Sequence, residues 1–223
     1  MTTQINIPDA TDRDAVTVLG DKIVFVRISQ DCDAENPITD WEGNGRIISF
    51  GRRHTNFQPS EDALKEHKAN PYAVELSYFE HSCCVWGVKG NMPPGTQCPW
   101  DCVPLAGLWL PDEEALKVIN AVKKSKASRI KKAEEIAKQA CELYTAWCNG
   151  DVYSYEIAAY KVMYDRNEID HNAALEPLNI RSDYRGYDPI LTSSCSWYYG
   201  VDAVKKGIKD AIEDIKEELG IKG

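Results

Sequence analysis

Pro111 to Asn149 reads PDEEALKVINAVKKSKASRIKKAEEIAKQACELYTAWCN, and the reading of this stretch decides the fold. Leu116, Ile119, Val122, Ile130, Ala133, Ile136, Ala137, Ala140, Leu143, Tyr144 and Trp147 recur at steps of three and four. That period gives a helix with one apolar stripe, which has to be covered by another layer. Pro111 is tolerated in a first turn, and Asp112, Glu113 and Glu114 suit the positive end of the helix dipole. Asn149-Gly150 supplies a stop. Between Lys123 and Lys132 the apolar rhythm thins. Six positive residues (Lys123, Lys124, Lys126, Arg129, Lys131, Lys132) stand there with no acid among them, so the helix is expected to bend or break.

On either side of this stretch the pattern is mostly strands. Lys22–Ser29 places Ile23, Phe25 and Arg27 on one side and Val24, Val26 and Ile28 on the other, as in a strand buried on both faces. Arg46–Phe50, Tyr72–Phe79, Cys83–Val88 and Cys102–Leu110 read as further strands, and a short helix opens at Ser60. After the helix, Asp151–Met163 and Thr192–Tyr199 are strand candidates rich in β-branched or aromatic residues. Tyr164–Pro189 has no sustained period and reads as an excursion or a long hairpin tip. From Val201 onward Val204, Ile208, Ala211, Ile212, Ile215 and Leu219 keep a helical rhythm. The expected fold is therefore α+β: a largely antiparallel sheet with the long central helix and the C-terminal amphipathic helix packed on one face. Residues 1–20 are expected to be a loose lead-in, and 21–223 a single α+β domain.

The chain has 223 residues, 43% of them hydrophobic, enough for a sizeable core. No run approaches the roughly eighteen apolar residues of a membrane span, and the polar, acidic N-terminus lacks the pattern of a secretory leader. A soluble cytosolic protein is expected. In that compartment the eight cysteines read as reduced thiols. The net charge of −9 opposes general affinity for nucleic acid. Residues 150–223 carry nine bases against fourteen acids, while the central helix has eight bases against six acids.

Several short motifs, taken in order, resemble a family of proteins of unknown activity encoded by tailed bacteriophages and mobile elements. They are Trp41 with Arg52-Arg53, His81-Ser82, Pro99-Trp100-Asp101, Gly150-Asp151-Val152-Tyr153-Ser154-Tyr155, and Ser194-Cys195-Ser196-Trp197-Tyr198-Tyr199-Gly200. The resemblance runs from about Asn36 to Leu219. It departs from the family where Cys83 stands in place of glycine and Cys102-Val103 in place of Ser-Gly. What it implies is a phage product acting in the bacterial host cytoplasm. It brings no catalytic residue.

Three groups of residues have chemistry to offer. His81, Cys83, Cys84, Cys98 and Cys102 contain soft ligands, and His81, Cys83, Cys98 and Cys102 could close around zinc. Cys83 and Cys84, being adjacent on a strand, point to opposite faces, so only one of them could ligate. Buried thiols explain the same residues, and neither a metal nor another cofactor is expected. His81, Asp101 and Arg53 could form a general-base and anion-binding cluster, with Arg52 beside Arg53. No Walker A loop, G-x-S-x-G or H-E-x-x-H is present, and ion pairs at a sheet end account for these residues equally well. Asp210, Glu213, Asp214 and Glu217 form an acidic face on the last helix, which could imitate phosphates toward a basic partner or simply be a solvated surface. Trp100, Arg52 and Arg53 are further binding candidates. The expected function is a non-catalytic accessory protein that binds and modulates a host protein of defence or nucleic-acid metabolism, one with a basic nucleic-acid-binding surface. No direct contact with nucleic acid or membrane is expected. The alternatives are a small hydrolase or nucleotide-acting enzyme using His81, Asp101 and Arg53, and a zinc-stabilised structural protein.

Overall fold

The computed structural model describes residues 4–9, 11–50, 61, 65, 68–96, 98, 100–123, 125–162 and 187–221. Among them are eight strands: β1 (Asp14–Leu19), β2 (Lys22–Gln30), β3 (Arg46–Ser49), β4 (Val74–His81), β5 (Cys83–Val88), β6 (Cys102–Leu110), β7 (Val152–Lys161) and β8 (Leu191–Tyr199). Three helices accompany them: α1 (Glu113–Ala121), α2 (Lys126–Cys148) and α3 (Val201–Glu218). The α+β class is the one expected. The strands, however, are shared between two antiparallel sheets, in the orders β1-β2-β7-β8 and β3-β6-β4-β5. Residues 21–223, taken above as a single domain, divide together with the N-terminal segment into two compact units. One comprises Met1–Ala34 and Asp151–Gly223, and the other, Glu35–Gly150, is inserted into it.

The discontinuous unit is built on the pairing of β2 with β7, from Lys22 opposite Lys161 to Gln30 opposite Tyr153. The Asp31 amide donates to the Val152 carbonyl at 2.8 Å, so the two ends of the insertion lie side by side. As expected, β2 is buried on both faces. Val24, Val26 and Ile28 meet Ile208, Ile212 and Ile215 of α3, while Ile23 and Phe25 pack with Val16, Val18 and Tyr160 on the other face. The lead-in is not loose throughout. Residues 14–19 form β1, folded onto β2 through a turn in which Gly20 has φ 65°. Asp14 and Thr17 are both buried there, and these polar residues interrupt the apolar pattern that marks a strand in the sequence. Thr17 Oγ1 is satisfied by the Asn6 amide at 2.9 Å.

In the inserted unit the central helix breaks at Val122–Ser125, inside the basic run. Ser125 caps α2 by accepting from the Ser128 amide. The break frees α1 to serve a different contact. Asp112 Oδ1 caps α1 through the Ala115 amide at 2.8 Å, while Oδ2 accepts from the Gly43 and Gly45 amides at 2.8 and 2.9 Å. The Trp109 indole donates to the Asn44 carbonyl at 2.6 Å, which ties the same loop to β6. Meanwhile α2 lays Ala133, Ala137 and Ala140 in one core with Leu76, Trp86 and Trp109, the small alanines allowing close approach to the sheet. No helix among the described residues is long and apolar enough to cross a membrane.

Gly207 lies in the interior of α3, where alanine would ordinarily gain about 1 kcal/mol of helix propensity. A β-carbon there would overlap the Tyr198 phenol ring. Overpacking of this kind costs about 1–3 kcal/mol, more than the propensity gain. Gly207→Ala should therefore lower stability in urea unfolding, and a more stable variant would show that the Tyr198 ring yields without cost.

Candidate functional site

His81 and Asp101 meet at one end of the inserted unit's sheet. Phe79 pairs with Cys102 across β4 and β6, and the Glu80 amide extends that ladder by donating to the Asp101 carbonyl at 3.0 Å. Ser82, at φ 63°, turns the chain into β5 and leaves His81 opposite Cys83. On the other side the Asp101 and Cys102 amides both donate to the Cys98 carbonyl, making the tight turn that aims Asp101 at the hairpin. The outcome is a His81 Nδ1 to Asp101 Oδ2 distance of 3.2 Å. A carboxylate on Nδ1 orients the ring and leaves Nε2 of the neutral imidazole as an acceptor. The His81 side chain is largely in solvent and Asp101 is half-buried. The Ser82 hydroxyl donates to the His81 carbonyl. Beside this pair Trp100 is 93% exposed and Val103 is half-exposed.

Of the other residues singled out in sequence, Arg52 and Arg53 lie outside the described residues. His81 and Asp101 converge, and the place of Arg53 is not described. Among the described residues no three His, Cys, Asp or Glu side chains form a group able to hold a metal ion. Cys83 and Cys84 do point to opposite faces, the first exposed and the second buried. On α3 of the other unit, Asp210, Glu213, Asp214 and Glu217 are all exposed. Lys216 lies 3.1 Å from Glu213.

A second cluster, not assembled by the sequence reading, sits where β5 meets α2. β5 is an edge strand, and side chains from the end of α2 hydrogen-bond to its outer backbone groups. Asn149 Oδ1 accepts from the Cys84 amide at 2.9 Å, and Asn149 Nδ2 donates to the Cys84 carbonyl at 2.8 Å. One helical turn earlier, Thr145 Oγ1 accepts from the Trp86 amide at 2.9 Å. This clasp brings Cys84 close to Cys148, the residue before Asn149, and each thiol shifts the other's protonation. Tyr78 packs on Trp86, which packs on Tyr144, with ring centroids 4.8 and 6.0 Å apart. The Tyr78 hydroxyl donates to Glu80 Oε2 at 3.0 Å.

The thiols are unequal. The Cys148 thiol holds Cys84 below the ordinary thiol range, against the opposing effect of its burial. Cys84 in turn, followed by burial, pushes Cys148 up. Of the two, Cys84 is therefore the thiol that gives up its proton more readily. Cys141, about two turns earlier on the same helix face, has no such partner, and burial pushes it up to about 12. The sequence signal for the cluster was the spacing of Cys141, Tyr144 and Cys148 on one stripe; the strand they would face was not legible.

Set against known proteins, the chain matches no family model, no curated protein and no solved structure. The site is therefore read from its own geometry.

Removing the Asn149 carboxamide strands an amide and a carbonyl of β5, each costing about 1–3 kcal/mol where water cannot replace the partner. Asn149→Ala should destabilise by about 2 kcal/mol or more in chemical unfolding and speed exchange of the Cys84 and Trp86 amides. Unchanged exchange at both amides would show that the clasp contributes nothing to the edge.

Proposed function

We propose that the protein is a non-catalytic accessory protein, of phage or mobile-element origin, that binds and modulates a host protein in the bacterial cytoplasm. The observation that carries this reading is Trp100, whose side chain stands almost wholly in water beside Val103 and the His81–Asp101 pair. Tryptophan is the residue type most enriched among those that dominate binding energy, and exposing one is unfavourable until a partner covers it. The acids of α3 give the reading a sign. Asp214, Glu217 and Glu218 are exposed in its last two turns, at the negative end of the dipole, where further negative charge is disfavoured. A cationic surface relieves that repulsion, so the partner is a protein with a basic face of the kind that binds nucleic acid. Direct binding of nucleic acid is opposed by the net charge of −9.

The His81–Asp101 contact favours a second reading, a small hydrolase or nucleotide-acting enzyme with His81 as general base. The two separate on one comparison. A hydrolytic activity abolished by His81→Gln and spared by Trp100→Ala would establish the enzyme.

For the binding reading, the full-length chain is used to capture a stoichiometric partner from bacterial lysate, and the purified pair is then measured. Trp100→Ala should weaken affinity at least about tenfold, corresponding to about 1.4 kcal/mol. Reversal of Glu213, Asp214 and Glu217 to lysine should slow association and flatten its dependence on ionic strength, since exposed charges are screened over about 8 Å at physiological salt. Affinity indifferent to all of these changes would overturn the reading.

A further inference from the structure

We infer that Cys84 and Cys148 are a reactive thiol pair that small peroxides close to a disulfide and added thiols reopen. The pair is independent of the binding surface proposed above. Its geometry is set by the Asn149 carboxamide, which grips both backbone groups of Cys84 and so fixes the strand to the residue that follows Cys148. The clasp sets the two thiols close enough to shift each other's protonation. Cys84 is only 3% exposed, and Cys148 is half-buried. A bulky oxidant such as a glutathione-sized disulfide is poorly matched to that access. Hydrogen peroxide, close to water in size, is well matched.

The chemistry balances without any other reagent. The Cys84 thiolate attacks one peroxide oxygen, the O–O bond breaks, and the departing hydroxide takes up a proton to leave as water. Cys84 is then a sulfenic acid. Cys148 Sγ attacks the Cys84 sulfur, the S–S bond forms as the S–O bond breaks, and the released hydroxide leaves as water with the Cys148 proton. Two thiols have been oxidised and one peroxide reduced to two waters. The asymmetry of the pair suits these roles: Cys84, the readier thiolate, attacks the peroxide and is oxidised first, and Cys148, which holds its proton until the sulfenic acid forms, resolves it.

The other thiols lack this arrangement. Cys32, Cys83 and Cys195 are exposed, and Cys141 is buried with its proton firmly held. Cys98 and Cys102 are joined by a backbone hydrogen bond, from the Cys102 amide to the Cys98 carbonyl at 3.0 Å. They are the internal control for non-specific oxidation.

The test uses the full-length reduced chain, titrated with hydrogen peroxide while folded, with remaining thiols alkylated and the digest mapped without reductant. The expected product is a peptide linking Cys84 to Cys148 that disappears on treatment with dithiothreitol. Because the bond closes a long loop in the unfolded chain, the oxidised protein should also melt at a higher temperature than the reduced one. In Cys148→Ser, Cys84 should stop at the sulfenic acid and be trapped by dimedone. The peptide map of the unaltered chain stands even if that variant does not fold. Cys84 and Cys148 left open to alkylation after peroxide treatment, a bridge between Cys98 and Cys102 in their place, or oxidation confined to Cys32, Cys83 and Cys195 would each overturn the assignment.

Discussion

An edge strand presents a row of backbone donors and acceptors, and in the inserted unit β5 has those groups answered by side chains of α2. The Asn149 carboxamide behaves as one more residue of a neighbouring strand, giving and receiving a hydrogen bond with Cys84. Thr145 takes the Trp86 amide on the next rung. Each bond contributes only about 1 kcal/mol net, but an unanswered group in the same place costs more, and an open edge invites pairing with other chains. The position of α2 along the sheet follows from this. With its C-terminal end held at β5, the helix packs Ala133, Ala137, Ala140 and Tyr144 into the core with Leu76 and Trp86, and Cys148 lies against the same cluster. The Asn149-Gly150 stop that ends the helix is thus also what closes the edge.

The break between α1 and α2 belongs to the same arrangement. A helix pinned at its C-terminal end to β5 and continuous back to Pro111 could not also deliver Asp112 to the loop before β3. Separated at Val122–Ser125, α1 keeps its own cap, and the Asp112 carboxylate answers three amides, those of Ala115, Gly43 and Gly45. Gly45 leaves no room for a side chain, since a β-carbon there would overlap the Trp109 indole. A single carboxylate therefore joins helix, loop and strand.

Much of this was legible in the sequence, wherever the cause is local. The strands β2, β5 and β6, the terminal helix, the break in the basic run and the stop at Asn149-Gly150 follow from periodicity and capping. Cys83 and Cys84 facing opposite ways follows from the pleat. β1 escaped because Asp14 and Thr17 carry the burial that apolar residues usually announce. The split into two sheets escaped because it depends on β2, already paired with β1, taking the distant β7 as its other neighbour, and nothing within either segment names its partner. The site divides along the same line. His81 and Asp101 were recognisable as chemistry, but their approach to 3.2 Å needs the β4–β6 register and the turn at Cys98. Cys84 and Cys148 meet only through the clasp of Asn149, which sequence presents simply as a helix stop.

The adjacency of Asp31 and Val152 has a consequence for the order in which the chain can fold. During synthesis β1 and β2 emerge early and can form their hairpin, but a two-stranded hairpin alone is marginal in water. The strand that stabilises β2, and the helix that covers it, follow only after the whole of Glu35–Gly150 has been made. Closing so long a loop is slow compared with local contacts, and until it closes the apolar faces of β2 stand open. The ribosome therefore holds an unfinished sheet while the inserted segment is translated, and the arrival of Val152 next to Asp31 is the event that completes it.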